Sequence, residues 1–132
     1  MPATPPIHVL AGVLCDLRGR VLFAQRPAGK HLAGQWEFPG GKREPGETPA
    51  QTLARELAEE LDIIVLRAEP LVAVPWRYDA CELLLDAWRV LRWDGTPSSA
   101  EGQALQWLPP EQMDAATLAG ADRLILAALL QA

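Results

Sequence analysis

Residues 7 to 15, IHVLAGVLC, form an almost unbroken apolar run of strand length, which predicts a buried strand. The polar LRGR that follows (17 to 20) reads as a turn, and VLFAQR (21 to 26) as the strand returning from it. PAGKHLAG (27 to 34) is a loop by its Pro and Gly content. QWEF (35 to 38) is a short extended piece running into PGGKREPGE, a stretch too rich in Gly and Pro to be read as helix or strand. The pattern then changes to helical spacing. Leu53, Leu57 and Leu61 make an apolar stripe. Ahead of them Thr48 suits a cap, Pro49 the first helical position, and Gln51 the third position of a capping box. Strands are expected near 64 to 76 and 82 to 92, with a turn at Asp94-Gly95, a loop through SSAEGQ and another short strand over 104 to 108. DRLILAALLQA at the end reads as a helix with a broad apolar face. Strands precede, separate and follow helices without a regular βαβ repeat, which predicts a mixed α/β sandwich.

The length, 132 residues, suggests one domain over 1 to 132 with a single core. A net charge of −5, with Lys and Arg scattered, argues against a grip on nucleic-acid polymer and against attraction to an anionic membrane. A small anionic substrate remains compatible if metal ions supply the positive charge. The N-terminus, MPATPPIHVL, lacks a basic segment followed by a long apolar one, and no apolar run approaches the ~20 residues of a membrane span, so a cytoplasmic protein is expected. Cys15 and Cys81 fall in apolar-rich, strand-like segments and are expected to be buried free thiols.

Candidate chemistry concentrates in RELAEEL, residues 55 to 61. Glu56, Glu59 and Glu60 fall on one side of a helix, Glu56 and Glu60 beside the leucine stripe and Glu59 further round. Glu56 and Glu60 are a like-charge i,i+4 pair, unfavourable in an isolated helix by a few tenths (~0.2–0.5) of a kcal/mol. Such a face is either solvated or bridged by a cation. The glycine-rich loop leading into the helix offers a bare carbonyl nearby, and hard divalent cations take carboxylate and carbonyl oxygens.

The spacing sharpens this. Gly41, Glu47, Arg55, Glu56, Leu57, Glu59, Glu60 and Ile63 stand at matching positions of the pattern G-x5-E-x7-R-E-U-x-E-E-x-G-U, with U aliphatic, so residues 41 to 63 resemble the Nudix box. One position departs: Asp62 replaces a glycine that would end the helix in a left-handed conformation, where Asp is among the better substitutes. FAQRPAGKHLAGQWEFPGGK (23 to 42) is similar to the corresponding stretch of the MutT subgroup, which hydrolyses nucleoside triphosphates to monophosphate and pyrophosphate. The resemblance implies an α/β/α sandwich around a mixed sheet. It implies that the Gly41 carbonyl and the side chains of Glu56, Glu59 and Glu60 hold Mg²⁺ or Mn²⁺, with Glu101 binding metal or helping to activate water. Glu47 and Arg55 would form a salt bridge tying loop to helix. The base that takes the water's proton stays open among Glu56, Glu59 and Glu101.

For the rest of the substrate, Arg26, His31, Phe38 and Lys42 fall within the MutT-like stretch and are expected near the nucleotide, Phe38 equally as a core aromatic. Trp76 and Tyr78 would line the same pocket, although tryptophans in a small domain mostly serve the core. Ala121 stands where the 8-oxoguanine-specific subgroup carries an asparagine, and Asp122 follows it. An acid there would accept hydrogen bonds from a base amino group, or simply cap the last helix. The expected activity is hydrolysis of oxidised or modified triphosphates such as 8-oxo-dGTP, by a monomer or homodimer. A CTP-type pyrophosphohydrolase, another Nudix substrate and a non-hydrolysing nucleotide-binding module are the alternatives.

Overall fold

The computed structural model describes residues 5–30 and 32–131, apart from the side chain of Tyr78. The strands are β1 (Ile7–Leu14), β2 (Val21–Gln25), β3 (Trp36–Glu37), β4 (Gly40–Lys42), β5 (Ile64–Tyr78), β6 (Cys81–Asp94) and β7 (Leu105–Leu108). Helix α1 spans Pro49–Leu61 and helix α2 spans Asp122–Gln131, with 3-10 turns at Pro110–Gln112 and Ala115–Thr117. One sheet has the order β4-β1-β6-β5 and is mixed, since β1 runs parallel to β6 and antiparallel to β4. The other, β3-β2-β7, is antiparallel.

The continuous apolar run of β1 has a direct cause: both of its faces are covered. Leu10 and Leu14 pack with Leu53, Leu57 and Leu61 of α1. Ala11 and Val13 point the other way and pack with Ile125 and Leu126 of α2. At Gly12 the helix comes so close that a Cβ would meet Leu57 Cδ1 at 3.0 Å and Leu53 Cδ1 at 3.3 Å. The expected α/β/α layering with a mixed sheet follows. Strand β5 lies at the sheet edge, where Pro70 and Pro75 interrupt no inner ladder.

Helix α1 begins as its sequence predicts. The Gln51 N–H donates to Thr48 Oγ1 (3.1 Å) and the Thr48 N–H to Gln51 Oε1 (2.9 Å), a reciprocal cap worth about 1 kcal/mol. It ends at Asp62, which takes the left-handed conformation (φ 55°, ψ 44°) and donates its N–H to the Ala58 carbonyl. The substituted residue thus adopts the backbone shape expected of the glycine it replaces.

Two expectations are corrected. PGGKREPGE contains a strand after all: Gly40, Gly41 and Lys42 pair with Ala11, Leu10 and Val9. The glycines serve close approach there, for a Cβ on Gly40 would lie 1.8 Å from the Leu10 carbonyl oxygen. The cysteines are free, as expected, but not buried: Cys15 is exposed and Cys81 half-buried. Cys15 sits one residue past β1, where the covered run gives out. No helix among the described residues is long and apolar enough to cross a membrane.

Candidate active site

Arg55 organises the loop before α1. Its Nε and Nη2 donate to the two oxygens of Glu47 (2.7 and 3.0 Å), Nη2 also reaches the Lys42 carbonyl (3.1 Å), and Nη1 donates to Glu56 Oε1 (2.9 Å). Glu47 accepts further bonds from the Glu44 N–H and the Thr52 hydroxyl. The bonds from Arg55, aided by those from Glu44 and Thr52, hold the Glu47 carboxyl down at about 2. The loop-to-helix salt bridge expected from the sequence is present.

Behind this brace the acids crowd together. The Gly40 N–H donates to Glu60 Oε2 at 3.0 Å. Burial, and then the charges of Glu56, Glu37 and Glu101, push the Glu60 carboxyl up to about 8. Burial also raises Glu56, against the pull of Arg55. Gly41 lies flat against Glu56: a Cβ there would fall 2.3 Å from Cδ and 2.4 and 2.6 Å from the two carboxyl oxygens. Only a glycine lets the backbone approach the carboxylate this closely.

Glu101 arrives from far along the chain. Its loop docks on the end of α1, where the last carbonyls lack helical partners. Ser98 N–H donates to the Leu61 carbonyl, and Ala100 N–H and Gln103 Nε2 donate to the Glu60 carbonyl, all within 3.0 to 3.1 Å. Gln103 Oε1 then accepts the Glu101 N–H at 3.2 Å. Glu56, Glu60 and Glu101 share one cleft of about 480 Å³. Glu59 does not line it; it is exposed, 3.5 Å from Arg55 Nη1. Among the described residues no three acid, His or Cys side chains converge into a closed ion cage as they stand. The donor set nonetheless suits a hard divalent cation. Carboxylates repel one another beside a bare backbone, and the most buried one lacks a positive partner.

The cleft continues away from these acids. Asp122, the first residue of α2, does not reach along its own helix; its Oδ2 accepts the Phe38 N–H at 2.9 Å. Burial pushes its carboxyl up to about 7. Arg26 Nη1 donates to both oxygens of Glu37 (2.9 and 3.2 Å), and both residues line the cleft. Phe38 is 3% exposed, its ring centroid 5.0 Å from that of Phe23, and so is foremost a core aromatic that closes the cleft from behind. Lys42 is exposed at the cleft edge. His31 and the side chain of Tyr78 lie outside the described residues. Glu37 and Gln103 went unread in the sequence. The one is a lone polar residue between aromatics and the other one of several polar loop residues, and neither carries a spacing signal.

A family model described as the NUDIX domain matches residues 10–128. The chain belongs to the NUDIX family. This Nudix hydrolase is 41% identical to the 8-oxo-dGTP diphosphatase of Proteus vulgaris over 96 residues, 73% of this chain and 86% of that one. It is 40% identical to the CTP pyrophosphohydrolase of Escherichia coli K12 over 124 residues, covering 94% and 91%. Among solved structures it resembles the E. coli ORF135 protein, with a TM-score of 0.83 at 40% identity over 95% of this chain and 89% of that one. Nudix hydrolases generally need a divalent metal ion and act on small nucleotide substrates.

Proposed function

We propose that residues 1 to 132 form one Nudix domain that hydrolyses nucleoside triphosphates to monophosphate and pyrophosphate, acting in the cytoplasm on oxidised purines such as 8-oxo-dGTP. The observation that carries this reading is the half-buried Glu60 carboxyl, which shares the cleft with Glu56 and Glu101 while the Gly41 backbone presses on Glu56. Mutually repelling acids cost stability unless a cation bridges them, and a cation there meets the tail of a polyphosphate.

In this reading Glu56, Glu60 and the Gly41 carbonyl hold Mg²⁺ or Mn²⁺, with Glu59 and Glu101 at the rim. The ion supplies Lewis-acid polarisation of the phosphoryl group and acidifies the attacking water. The chain's own residues do the rest. Arg55 and Glu47 fix the loop that carries Gly41. Glu101 takes the water's proton in this reading, supported by its exposure at the cleft and by the bond from its N–H to Gln103 Oε1. Arg26 and Lys42 present positive charge along the cleft for the phosphates, and Glu37 holds the Arg26 fork in orientation. The water oxygen bonds to the β-phosphorus as its proton passes to Glu101, the bond from that phosphorus to the α–β bridging oxygen breaks, the monophosphate leaves with that oxygen, and pyrophosphate remains. A second reading, a CTP-type enzyme, draws support from Ala121 and Asp122 in the cleft wall and from the 40% identity over 94% of the chain.

The test is a panel of canonical and oxidised triphosphates in Mg²⁺ and in Mn²⁺, with pyrophosphate and orthophosphate measured separately. Pyrophosphate release, fastest with 8-oxo-dGTP, is expected. Faster turnover of CTP moves the assignment to the second reading. Orthophosphate alone, or nucleotide binding without hydrolysis, overturns both.

A further inference from the structure

Glu56 and Glu60 are each held through their own carboxylates, by Arg55 Nη1 and by the Gly40 N–H. Glu101 is not. Among the described residues its carboxylate makes no hydrogen bond or ion pair. Its place in the cleft is therefore set by its main chain, whose N–H donates to Gln103 Oε1 at 3.2 Å.

Gln103 stands between two layers of the fold. The next residue, Ala104, accepts the Gln25 N–H at 2.9 Å just ahead of β7, which fixes the main chain here to the β3-β2-β7 sheet. From there the Gln103 side chain crosses to α1, where Nε2 donates to the Glu60 carbonyl at 3.1 Å. Gly102, at φ +82°, makes the bend that brings the side chain of residue 103 back to the amide of residue 101.

Polarity leaves the Gln103 amide one orientation. A carbonyl only accepts and a main-chain N–H only donates, so Nε2 must face Glu60 and Oε1 must face Glu101. Ser99 Oγ donates to the same Oε1 at 2.9 Å and also to the Gln103 carbonyl. A Glu at 103 would bring no donor to the Glu60 carbonyl, and an Asn would be one methylene short of reaching both partners. Ser98 and Ala100 tie the loop to the helix end through main-chain N–H groups, which almost any residue supplies. Gln103 is the side chain that joins the helix end to Glu101 itself.

We infer that Gln103 is a positioning residue: its amide clips the Glu101 main chain to the Glu60 carbonyl and so fixes where the Glu101 carboxylate stands relative to the acids of α1. The inference rests on the proposed role of Glu101 in taking the water's proton, and it adds no ligand and no chemical step.

Gln103→Met keeps the length of the side chain and loses both bonds. Amide hydrogen exchange followed by NMR, without metal or nucleotide, reads the clip directly. The Glu101 N–H should exchange roughly three- to tenfold faster in the variant, while the amides of Leu53 and Leu57 in α1 keep their wild-type rates. In steady-state assays with the triphosphate that wild type turns over fastest, kcat should fall about 10–100-fold with KM within about threefold. On a Glu101→Gln background the same substitution should change kcat less than about twofold, because no base is left to place. Gly102→Ala, whose added methyl would meet no atom within 4 Å, strains only the bend. It should repeat the pattern at smaller size, and it carries the test should Gln103→Met fail to fold. Unchanged exchange at Glu101, a rise in KM with kcat kept, or equal losses of kcat on both backgrounds overturns the inference. If wild type binds nucleotide without hydrolysing it, the proposed reaction falls, while exchange at Glu101 still decides whether Gln103 holds that residue in place.

Discussion

Replacing Glu60 by Gln separates the cost of the acid cluster from its use. The Glu60 carboxyl stands at about 8 in the folded protein against 4.5 for an ordinary glutamate. Below 4.5 the group is protonated in both the folded and unfolded chain, and its full contribution is present. Between 4.5 and 8 the unfolded chain ionises while the folded one keeps its proton, so stability falls as pH rises, by about 1.4 kcal/mol per unit. Above 8 both forms are ionised and the loss is complete, on the order of 5 kcal/mol. Glu56, also raised by burial, adds in the same direction. In Glu60→Gln the amide oxygen still accepts the Gly40 N–H, and nothing is left to ionise. Urea unfolding in EDTA from pH 5 to 9 should show both proteins losing stability as Asp122, raised to about 7, and Glu56 ionise, wild type the more steeply, so that the variant is the more stable of the two by pH 9. Adding millimolar Mg²⁺ should restore wild type and leave the variant unmoved, while pyrophosphate release by the variant drops by about 10²–10³. Parallel pH profiles for the two proteins, or equal stabilisation of both by Mg²⁺, would refute the reasoning.

Three further substitutions read other parts of the site. Gly41→Ala places a methyl inside the Glu56 carboxyl, which can swing away; activity should fall about 10–100-fold, with little change in melting temperature. Glu47→Gln removes a carboxyl held at about 2 by Arg55. That stabilisation is present above 4.5 and lost as pH falls towards 2, so the variant should be the less stable protein at pH 7 and the two melting curves should converge in acid. Asp62→Gly relieves a left-handed side chain at the end of α1 and should raise stability by about 0.5–1 kcal/mol without altering turnover, as calorimetry and a pyrophosphate assay would record.

Much of α1 and its acids was legible from order along the chain, because a helix places residues by spacing alone. The Thr48–Gln51 cap, the leucine stripe, the Arg55–Glu47 bridge and the Asp62 exit are all local, and each can be read from neighbours a few positions away. Where local rules mislead, the cause is a partner distant in sequence. Gly40 and Gly41 read as loop, yet they form a strand, because β1 supplies the ladder and the lack of Cβ atoms allows the approach. Asp122 reads equally as a cap or a base contact until the Phe38 amide, 84 positions away, claims its carboxyl. Glu101 is one acid among many until its loop docks on the open carbonyls of α1, and Trp76 is one tryptophan among five until Gly120 sets it at the cleft. Sequence by itself determined the family, the metal-binding chemistry to expect and the element that carries it. Tertiary structure alone decided which carboxylates share a cleft and what lies at its far end, because convergence depends on which elements pack together, and spacing along the chain does not encode that.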